Sequence, residues 1–222
     1  MIIKIKSNVL KEILTAKNAI PRTAKDEMAL PTVTHSNPLI RWLWWRRYEI
    51  IAGLARFTSE MTVLEFGCGS GIFLPTMCDL TRKVYAVDLF TDYAEKLSAR
   101  LGLKTEFLKE VTNVPDGSID VIIAADVLEH IEDPYHYLQM FKVKLKDGGR
   151  LIVSGPMENF IYRLGRIAAG FAGKGDYHKT NIKDLKKKIG QSGYRLLKIK
   201  KVPFALLPSL FLALEFKKLI HR

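Results

Sequence analysis

The chain has 222 residues, enough for one domain with an additional lobe, and its hydrophobic content of 48% and charged content of 26% are typical of a soluble globular protein. Two cysteines exclude a disulfide framework and favour a reducing cytoplasm, and the sequence shows neither a secretory leader nor an apolar run of the ~18 residues that would span a membrane. The last 51 residues carry 13 Lys or Arg against three acids, so +10 of the net charge of +12 lies there.

This basic C-terminal part predicts an anionic partner, which could be a membrane surface, a nucleic acid or an acidic substrate. The alternative is a lysine-rich face that is simply solvated and has no partner. The remaining 171 residues carry a net charge of only +2, so the charge says nothing about partners of the rest of the chain.

The first 52 residues predict an N-terminal arm followed by cap helices. Apolar residues 9, 10, 13 and 14 have helical spacing, and the segment through Pro38 is either a lid over a bound ligand or a flexible arm. Asn37 as N-cap and Pro38 at the first helical position predict a further helix. This helix carries three tryptophans within four residues, flanked by arginines. It suits either a membrane-interface belt or a helix that packs on the domain and leaves its arginines in solvent.

A glycine-rich turn after a buried strand is the centre of the predicted fold. Val63–Gly71 predicts a strand that enters a turn, where glycines allow tight turning and the close approach of a ligand. A second apolar strand, Lys83–Val87, ends in Asp88, whose carboxylate is placed to hold the hydroxyl groups of a ribose. Ile72 stands where a dinucleotide-binding motif has its last glycine, which argues against NAD and for a cofactor without a pyrophosphate.

The following elements alternate between helix and strand, which predicts right-handed crossovers and a mainly parallel sheet. The predicted elements are a helix from about Ile72 to Leu80, a helix capped by Thr91 that ends at Gly102, strands at Lys104–Leu108, Ile119–Ala125 and Arg150–Ser154, a helix from Pro134 to about Leu145, and a turn at Asp147–Gly149. The strand ending at Ala125 leads into Asp126–His130. Open α/β sheets bind their ligands at the carboxyl ends of their strands, which is where this segment is expected to lie.

Three segments in this order resemble those of the class I S-adenosylmethionine-dependent methyltransferases. Val63–Gly71 is similar to their first motif, Asp88 to their ribose-binding acid, and Asp126–His130 to the segment after strand four in the branch that includes the ubiquinone and menaquinone methyltransferases. The resemblance implies a doubly wound, Rossmann-like α/β domain over residues 53–222, with a seven-stranded, mostly parallel sheet whose last strand is antiparallel. It also implies S-adenosylmethionine as the cofactor.

The resemblance further implies which residues contact that cofactor. They are Glu65, Gly67, Gly69, Gly71, Asp88, Leu89, Glu110, Val111 and Asp126. Glu65 is expected to approach the methionine part and, as a buried acid, to have a partner. Asp126 either holds the same region or caps the next helix. The relatives carry an acid that reaches the adenine amino group, whereas this chain has a shortened segment in which Glu110 or the amide of Val111 would serve.

A helical insertion after strand five, at about residues 157–175, interrupts the α/β alternation. Its apolar residues recur at helical spacing with Arg163 and Arg166 on another face, as in a helix that lies on a membrane, lines a lipid pocket or packs on the domain. His178 follows the insertion and His130 follows strand four, so these two are the candidates for a catalytic base. The spacing of cysteines and histidines predicts no metal site.

The C-terminal part predicts a helix over Ile182–Ile189 and a sixth strand over Tyr194–Val202. The resemblance calls for a seventh, antiparallel strand, which is assigned to Leu210–Phe216. The alternative is an interfacial helix that starts at Pro208 and places Ala205–Leu207 toward lipid.

The tryptophan helix, the insertion and the basic, apolar tail together predict a small acceptor that is amphiphilic or membrane-associated: a quinone, an isoprenoid, a lipid or a lipid-linked glycan. They also predict a cytoplasmic protein that can be peripheral to an anionic membrane. Two other functions stay open. One is an RNA methyltransferase, although Lys183–Lys201 offers Tyr194 as its only aromatic residue for stacking on bases. The other is a non-catalytic module that binds S-adenosylmethionine.

Overall fold

A seven-stranded sheet forms the centre of the computed structural model, which describes residues 1–15, 30–168, 178–203 and 209–219. Its strands are β1 (Thr62–Phe66), β2 (Lys83–Val87), β3 (Thr105–Leu108), β4 (Ile119–Ala125), β5 (Leu145–Pro156), β6 (Tyr194–Val202) and β7 (Phe211–Lys218). Their order across the sheet is β3-β2-β1-β4-β5-β7-β6. β7 pairs antiparallel with β5 and β6, whereas β1 to β5 pair in parallel. The predicted doubly wound sheet with an antiparallel last strand is confirmed.

Helices cover both faces of the sheet, and each face has its own apolar core. The helices are α1 (Ser7–Thr15), α2 (Leu30–Val33), α3 (Pro38–Ala55), α4 (Leu74–Leu80), α5 (Asp92–Leu101), α6 (Pro134–Lys144), α7 (Phe160–Ala168) and α8 (Ile182–Gln191). Buried side chains of α1 to α5 join one core, and those of α6 and α8 join the other. The central strands are therefore buried on both sides, which explains why β1 and β4 are almost continuously apolar.

Most predicted boundaries lie close to the observed ones, and three local features differ. α4 begins at Leu74, because the glycine turn occupies the residues before it. Thr91 holds the N-cap position of α5, but its Oγ1 donates to Glu95 Oε1 at 2.5 Å and the side chain caps no amide. The predicted turn at Asp147–Gly149 is part of the long strand β5, at a place where the pairing with β4 is irregular.

The N-terminal segment packs on the domain. Ile2, Ile5, Leu10 and Ile13 are buried in the same core as α3 and α5, and the amide of Ile3 donates to Thr76 Oγ1 at 2.9 Å. A flexible arm is therefore the wrong interpretation for residues 1–15. Residues 16–29 lie outside the described part of the chain.

The tryptophan helix α3 is capped as predicted, since Asn37 Oδ1 accepts a hydrogen bond from the amide of Leu39 at 2.9 Å. Trp45 is buried in the core. The expectation that the arginines of this helix lie in solvent is wrong for Arg47, which is 2% exposed and has its guanidinium carbon 3.7 Å from the ring centroid of Trp44. Across the described residues, none of the helices combines the length and the apolar character needed to cross a membrane.

The tail forms strand β7, so an interfacial helix is the wrong interpretation for residues 211–218. Ala205–Leu207, which were expected to face lipid in that case, lie outside the described residues. β6 forms the edge of the sheet, and its side chains from Arg195 to Lys201 are exposed. Lysines on an edge strand prevent pairing with another chain. Part of the C-terminal positive charge therefore has a structural role.

Candidate functional site

The turn between β1 and α4 has a left-handed backbone at three glycines. The φ angles of Gly67, Gly69 and Gly71 are +76°, +51° and +73°, values that residues with a Cβ atom rarely adopt. The amide of Gly67 donates to the carbonyl oxygen of Val87 at 2.8 Å, which fastens the turn to the end of β2. The sequence motif therefore forms the tight turn that was predicted from it.

Two of these glycines make room for the protein rather than for a ligand. A Cβ atom on Gly67 would lie 2.5 Å from Cγ2 of Val127, and one on Gly71 would lie 2.9 Å from Cα of Ala94. At these two positions the missing Cβ atoms accommodate protein atoms, and contact of the glycine backbone with the cofactor stays a prediction. The contact with Val127 instead brings the segment after β4 against the glycine turn.

Replacing Gly67 by alanine is expected to destabilise the fold more than replacing Gly102, although both have a positive φ. Nothing lies within 4 Å of a Cβ atom on Gly102, so that substitution costs only backbone strain, about 1–2 kcal/mol. At Gly67 the overlap with Val127 adds the cost of overpacking, about 1–3 kcal/mol. Urea unfolding of both variants measures the difference, and equal midpoints would show that Val127 moves aside without cost.

Asp88 connects the end of β2 to the glycine turn. Its Oδ2 accepts from the amide of Gly69 at 2.6 Å, and its Oδ1 accepts from the amide of Phe90 at 3.0 Å. Burial raises the pKa of Asp88, and these amides partly counteract that effect. The carboxylate is thus held rigidly at the tip of the strand, where a ribose would be bound. Leu89 beside it is 90% exposed.

Glu65 supplies the clearest test of whether this site fits S-adenosylmethionine. Its side chain is 4% exposed, and Oε2 has no hydrogen-bond partner among the described residues, so the partner expected for this acid is not a protein group at that atom. Burial and then the negative charge of Asp88 raise the pKa of Glu65 well above its usual range. A buried carboxylate oxygen without a partner is costly. It therefore fits a ligand that brings a donor or a positive charge, such as the ammonium group of the cofactor.

The two residues predicted to contact the adenine differ in environment. Val111 is buried and begins a single 3₁₀ turn, Val111–Asn113. Glu110 is exposed, and its Oε2 accepts a hydrogen bond from Thr112 Oγ1 at 3.0 Å. The Val111 position is therefore the better placed of the two to line an apolar pocket, and both contacts stay predictions.

Asp126 is paired with a residue that the sequence analysis did not single out. Its carboxylate forms an ion pair with Arg47 of α3 and accepts from Ser154 Oγ at 2.8 Å, while its backbone has a left-handed φ of +54°. It does not cap the following turn, whose N-cap position is Val127. Burial lowers the pKa of Arg47 from its usual value. Its place in the apolar stripe of α3, between Trp44 and Ile51, is the signal that could have predicted its burial.

Four side chains form a second group beside this pair: Glu129, His130, Glu158 and His178. The rings of His130 and His178 have centroids 4.8 Å apart, and Nδ1 of His178 hydrogen bonds with Oε1 of Glu158 at 2.5 Å. The amide of Lys179 donates to the carbonyl oxygen of Glu129 at 2.7 Å, which holds the two loops together. Burial raises the pKa of Glu129 to about 8. The two predicted histidines therefore lie together in one group. Glu129 also belongs to this group and was not predicted to do so.

The doubly wound sheet, the glycine turn after β1 and the acid at the end of β2 define a Rossmann-like protein that binds a nucleoside cofactor at the carboxyl ends of its strands. The model of the methyltransferase domain family matches residues 42–198, and the chain belongs to this family, among the class I S-adenosylmethionine-dependent methyltransferases. S-adenosylmethionine is accordingly its cofactor.

Individual relatives agree with this assignment. A protein of Mycolicibacterium smegmatis named as a probable S-adenosylmethionine-dependent methyltransferase is 31% identical over 63% of this chain and 52% of its own length. A ubiquinone biosynthesis O-methyltransferase of Xanthomonas oryzae is 27% identical over 50% of this chain and 46% of its own. The chain thus spans about half the length of the curated relatives it matches.

The fold is also that of solved structures. The N-methyltransferase NodS of Bradyrhizobium japonicum, solved in complex with S-adenosyl-L-homocysteine, superposes with a TM-score of 0.61 at 15% identity, over 96% of this chain and 97% of its own. At this identity the likeness concerns the fold. Fold alone does not assign an acceptor, which has to be argued from the site.

Proposed function

We propose that the protein transfers the methyl group of S-adenosylmethionine to a small amphiphilic acceptor. The sulfonium of the cofactor supplies an already activated methyl group, so the chain mainly has to align the acceptor and, for a hydroxyl or amine, remove its proton. The single observation that carries the proposal is an exposed apolar helix face that begins two residues after Glu158, a member of the histidine group. Residues 65, 69 and 88 would hold the cofactor on the other side of the segment after β4.

The apolar face belongs to α7. Phe160, Ile161, Leu164 and Ile167 are 73%, 44%, 47% and 61% exposed, which is unusual for large apolar side chains on neighbouring turns of one helix. The helix starts two residues after Glu158, the hydrogen-bond partner of His178. An acceptor whose apolar part lies along α7 would therefore bring its polar end to His178. An amphiphile has this distribution of polar and apolar surface.

The basic surface favours a membrane over RNA as the partner of this region. Tyr194, the only aromatic residue between Lys183 and Lys201, is 3% exposed and donates its hydroxyl group to the carbonyl oxygen of Leu138 at 3.0 Å. It is therefore buried away from any base, whereas proteins that bind single-stranded RNA present exposed aromatic rings. Between Lys183 and Lys201 the exposed lysines are not interleaved with exposed rings, which fits an anionic lipid surface better than RNA.

Label transfer from S-[methyl-³H]adenosylmethionine tests the acceptor class. Label is expected in the organic phase after incubation with a membrane lipid extract, and the double variant F160S/I167S is expected to lose most of this transfer because the acceptor's apolar part loses its support. The cofactor affinity of the variant should be unchanged. Val143→Ser removes an apolar side chain that is 52% exposed from α6 and serves as the control.

Three other outcomes would contradict the proposal, and two of them would favour a rival function. Label that enters added RNA and not the lipid extract would favour the RNA methyltransferase. Cofactor binding without any label transfer, in a lysate that contains all small molecules, would favour the non-catalytic module. Equal transfer by F160S/I167S and the parent chain would show that α7 does not bind the acceptor.

Binding to anionic liposomes is expected at low ionic strength and is expected to decrease as salt is added. Phe211, at the start of β7, pairs with Pro156 at the end of β5 and with Val202 at the end of β6. Lys200 and Lys201 therefore lie at the same end of these strands as the start of α7. Each lysine near an anionic surface contributes about 1 kcal/mol. Co-sedimentation of the K200E/K201E variant measures the effect.

Two controls accompany this experiment. Lys104→Glu reverses a charge just before β3, at the opposite edge of the sheet, and should leave co-sedimentation close to that of the parent chain. Neutral liposomes separate charge from apolar insertion. Full recovery of the parent protein in the supernatant with anionic liposomes at low salt would contradict the proposed membrane partner.

A further inference from the structure

The histidine group has the composition of a metal site as well as that of a base. We propose that Glu129, His130 and His178 bind a divalent transition-metal cation. Each offers one ligand atom, and these three atoms lie within 4.8 Å of one another. They come from two segments, the turn after β4 and the loop before α8, which the sequence separates by 48 residues. That separation is why their spacing gave no sign of a metal site.

The buried carboxylate of Glu129 gives the strongest support for a bound cation. The residue is 1% exposed, and neither Oε1 nor Oε2 has a hydrogen-bond partner among the described residues. The nearby Arg47 is engaged by Asp126. Burial of a carboxyl group without a partner costs free energy that the fold must offset elsewhere. A cation bound to Glu129 would remove this cost, whereas packing alone gives no reason for an acid at that position.

His178 is held in place by a neighbouring carboxylate. Its Nδ1 hydrogen bonds with Oε1 of Glu158, which fixes the ring, so in the proposed site it would bind the cation through Nε2. A carboxylate that holds the second nitrogen of a histidine is the usual outer partner of a metal ligand. The amides of Lys179 and Thr180 both donate to the carbonyl oxygen of Glu129, so the two ligand segments are joined by backbone hydrogen bonds.

The ligand set indicates which cations would bind. Two imidazoles and one carboxylate suit Zn²⁺, Mn²⁺, Fe²⁺ or Co²⁺, whereas Mg²⁺ and Ca²⁺ prefer oxygen ligands alone. Ligand atoms at ~2.1 Å from a tetrahedral metal are roughly 3.4 Å apart, so the three side chains must rotate to approach one another. Three protein ligands would leave a coordination position open, as in catalytic zinc sites. If the proposed methyl transfer takes place at this site, an acceptor oxygen would occupy that position.

Cobalt titration of the chelator-treated 222-residue chain tests the site without any methyl transfer. One Co²⁺ per chain is expected to bind, to develop a visible d–d absorption and to be displaced by Zn²⁺. His178→Ala and Glu129→Gln should each weaken binding more than tenfold. Glu158→Gln should weaken it by about 10- to 100-fold, the range for outer partners of a ligand. His136→Ala removes an exposed histidine of α6 and is the matched control.

The outcomes separate this inference from the proposed function. Circular dichroism and S-adenosylmethionine affinity establish that each variant is folded, and Glu158→Gln keeps all three ligands if His178→Ala does not fold. Unchanged Co²⁺ binding in both ligand variants, or no binding of Co²⁺ or Zn²⁺ at millimolar concentration, would overturn the metal site. Neither result would contradict the proposed methyl transfer. The label-transfer experiment tests that function separately, because it can be run with the chelator present.

Discussion

Replacement of Asp88 by alanine is expected to weaken the binding of S-adenosylmethionine by about 1–3 kcal/mol, which corresponds to roughly 5- to 150-fold in Kd. The variant would lose the hydrogen bonds that the carboxylate is expected to form with the ribose hydroxyl groups. It would also release the amides of Gly69 and Phe90, which the carboxylate now holds at 2.6 and 3.0 Å. Isothermal titration calorimetry with the cofactor and with its demethylated product measures both Kd values.

Two comparisons identify the origin of this loss. Asp88→Asn keeps a carbonyl oxygen that can accept from one of the two amides. If these loop contacts contribute to binding, its affinity for the cofactor should lie between those of the parent chain and Asp88→Ala. Asp79→Ala removes an exposed carboxylate from α4 and should leave the affinity unchanged. An Asp88→Ala variant that binds the cofactor as tightly as the parent chain would contradict the assigned role and, with it, the position of the ribose.

Asp88 could be predicted from the sequence because its position depends on local order. An apolar strand followed by an acid places that acid at the strand tip wherever the strand lies in a parallel sheet. The same holds for β4 and β6, whose bounds agree with the prediction, since hydrophobic pattern and turn residues determine them locally. These features need no knowledge of what packs against them.

The pairing partners within the site could not be predicted in the same way. Arg47 and Asp126 are 79 residues apart, and Glu129 meets His178 only because backbone amides join the two loops. Such contacts depend on how α3 and the loop before α8 lie across the end of the sheet. The tryptophans beside Arg47 led to the opposite expectation, a solvent-exposed or interfacial arginine, although its spacing from Trp44 and Ile51 places it in the apolar stripe of α3.

Several charged residues at the site are buried, although their residue types predict exposure to solvent. Glu65, Arg47 and Glu129 are all at most 4% exposed, and each is a charged residue type that is almost never fully buried without a partner. Arg47 has its partner in Asp126. Glu65 and Glu129 lack side-chain partners at the stated oxygens within the described residues, and both lie at the carboxyl ends of central strands. Such positions are where a ligand is expected to supply the missing interaction.

Glu215 has a different reason to be buried, and its replacement is expected to cause a large loss of stability. The residue lies in β7 and is 0% exposed, and both of its oxygens are engaged by arginines. Arg150 donates to Oε1 at 3.0 Å, and Arg56 forms a two-pronged pair with the carboxylate. Arg150 also donates to the carbonyl oxygen of Leu54 at 2.8 Å, so the group ties the end of α3 to β5 and β7.

Glu215→Gln is expected to lower the free energy of unfolding by about 3–5 kcal/mol, because it leaves the largely buried guanidinium of Arg150 without its counter-ion. For a chain of this size the midpoint of thermal unfolding should fall by roughly 6–20 °C. Glu106→Gln is the matched control, since its ion pair with Lys83 lies on the surface and is worth about 0–1 kcal/mol.

The pH dependence distinguishes an ion pair from packing at Glu215. Burial alone would raise the pKa of this carboxyl group, but the two arginines outweigh it and lower the pKa below its usual value. A lowered folded-state pKa gives stability that is present above the unfolded pKa of about 4.3 and is lost as the pH falls through the folded value. The stability gap between the parent chain and Glu215→Gln should therefore be constant from neutral pH down to about pH 5 and narrow below it. A gap that stays constant at acid pH would show that Glu215 stabilises the fold through its shape and not through its charge.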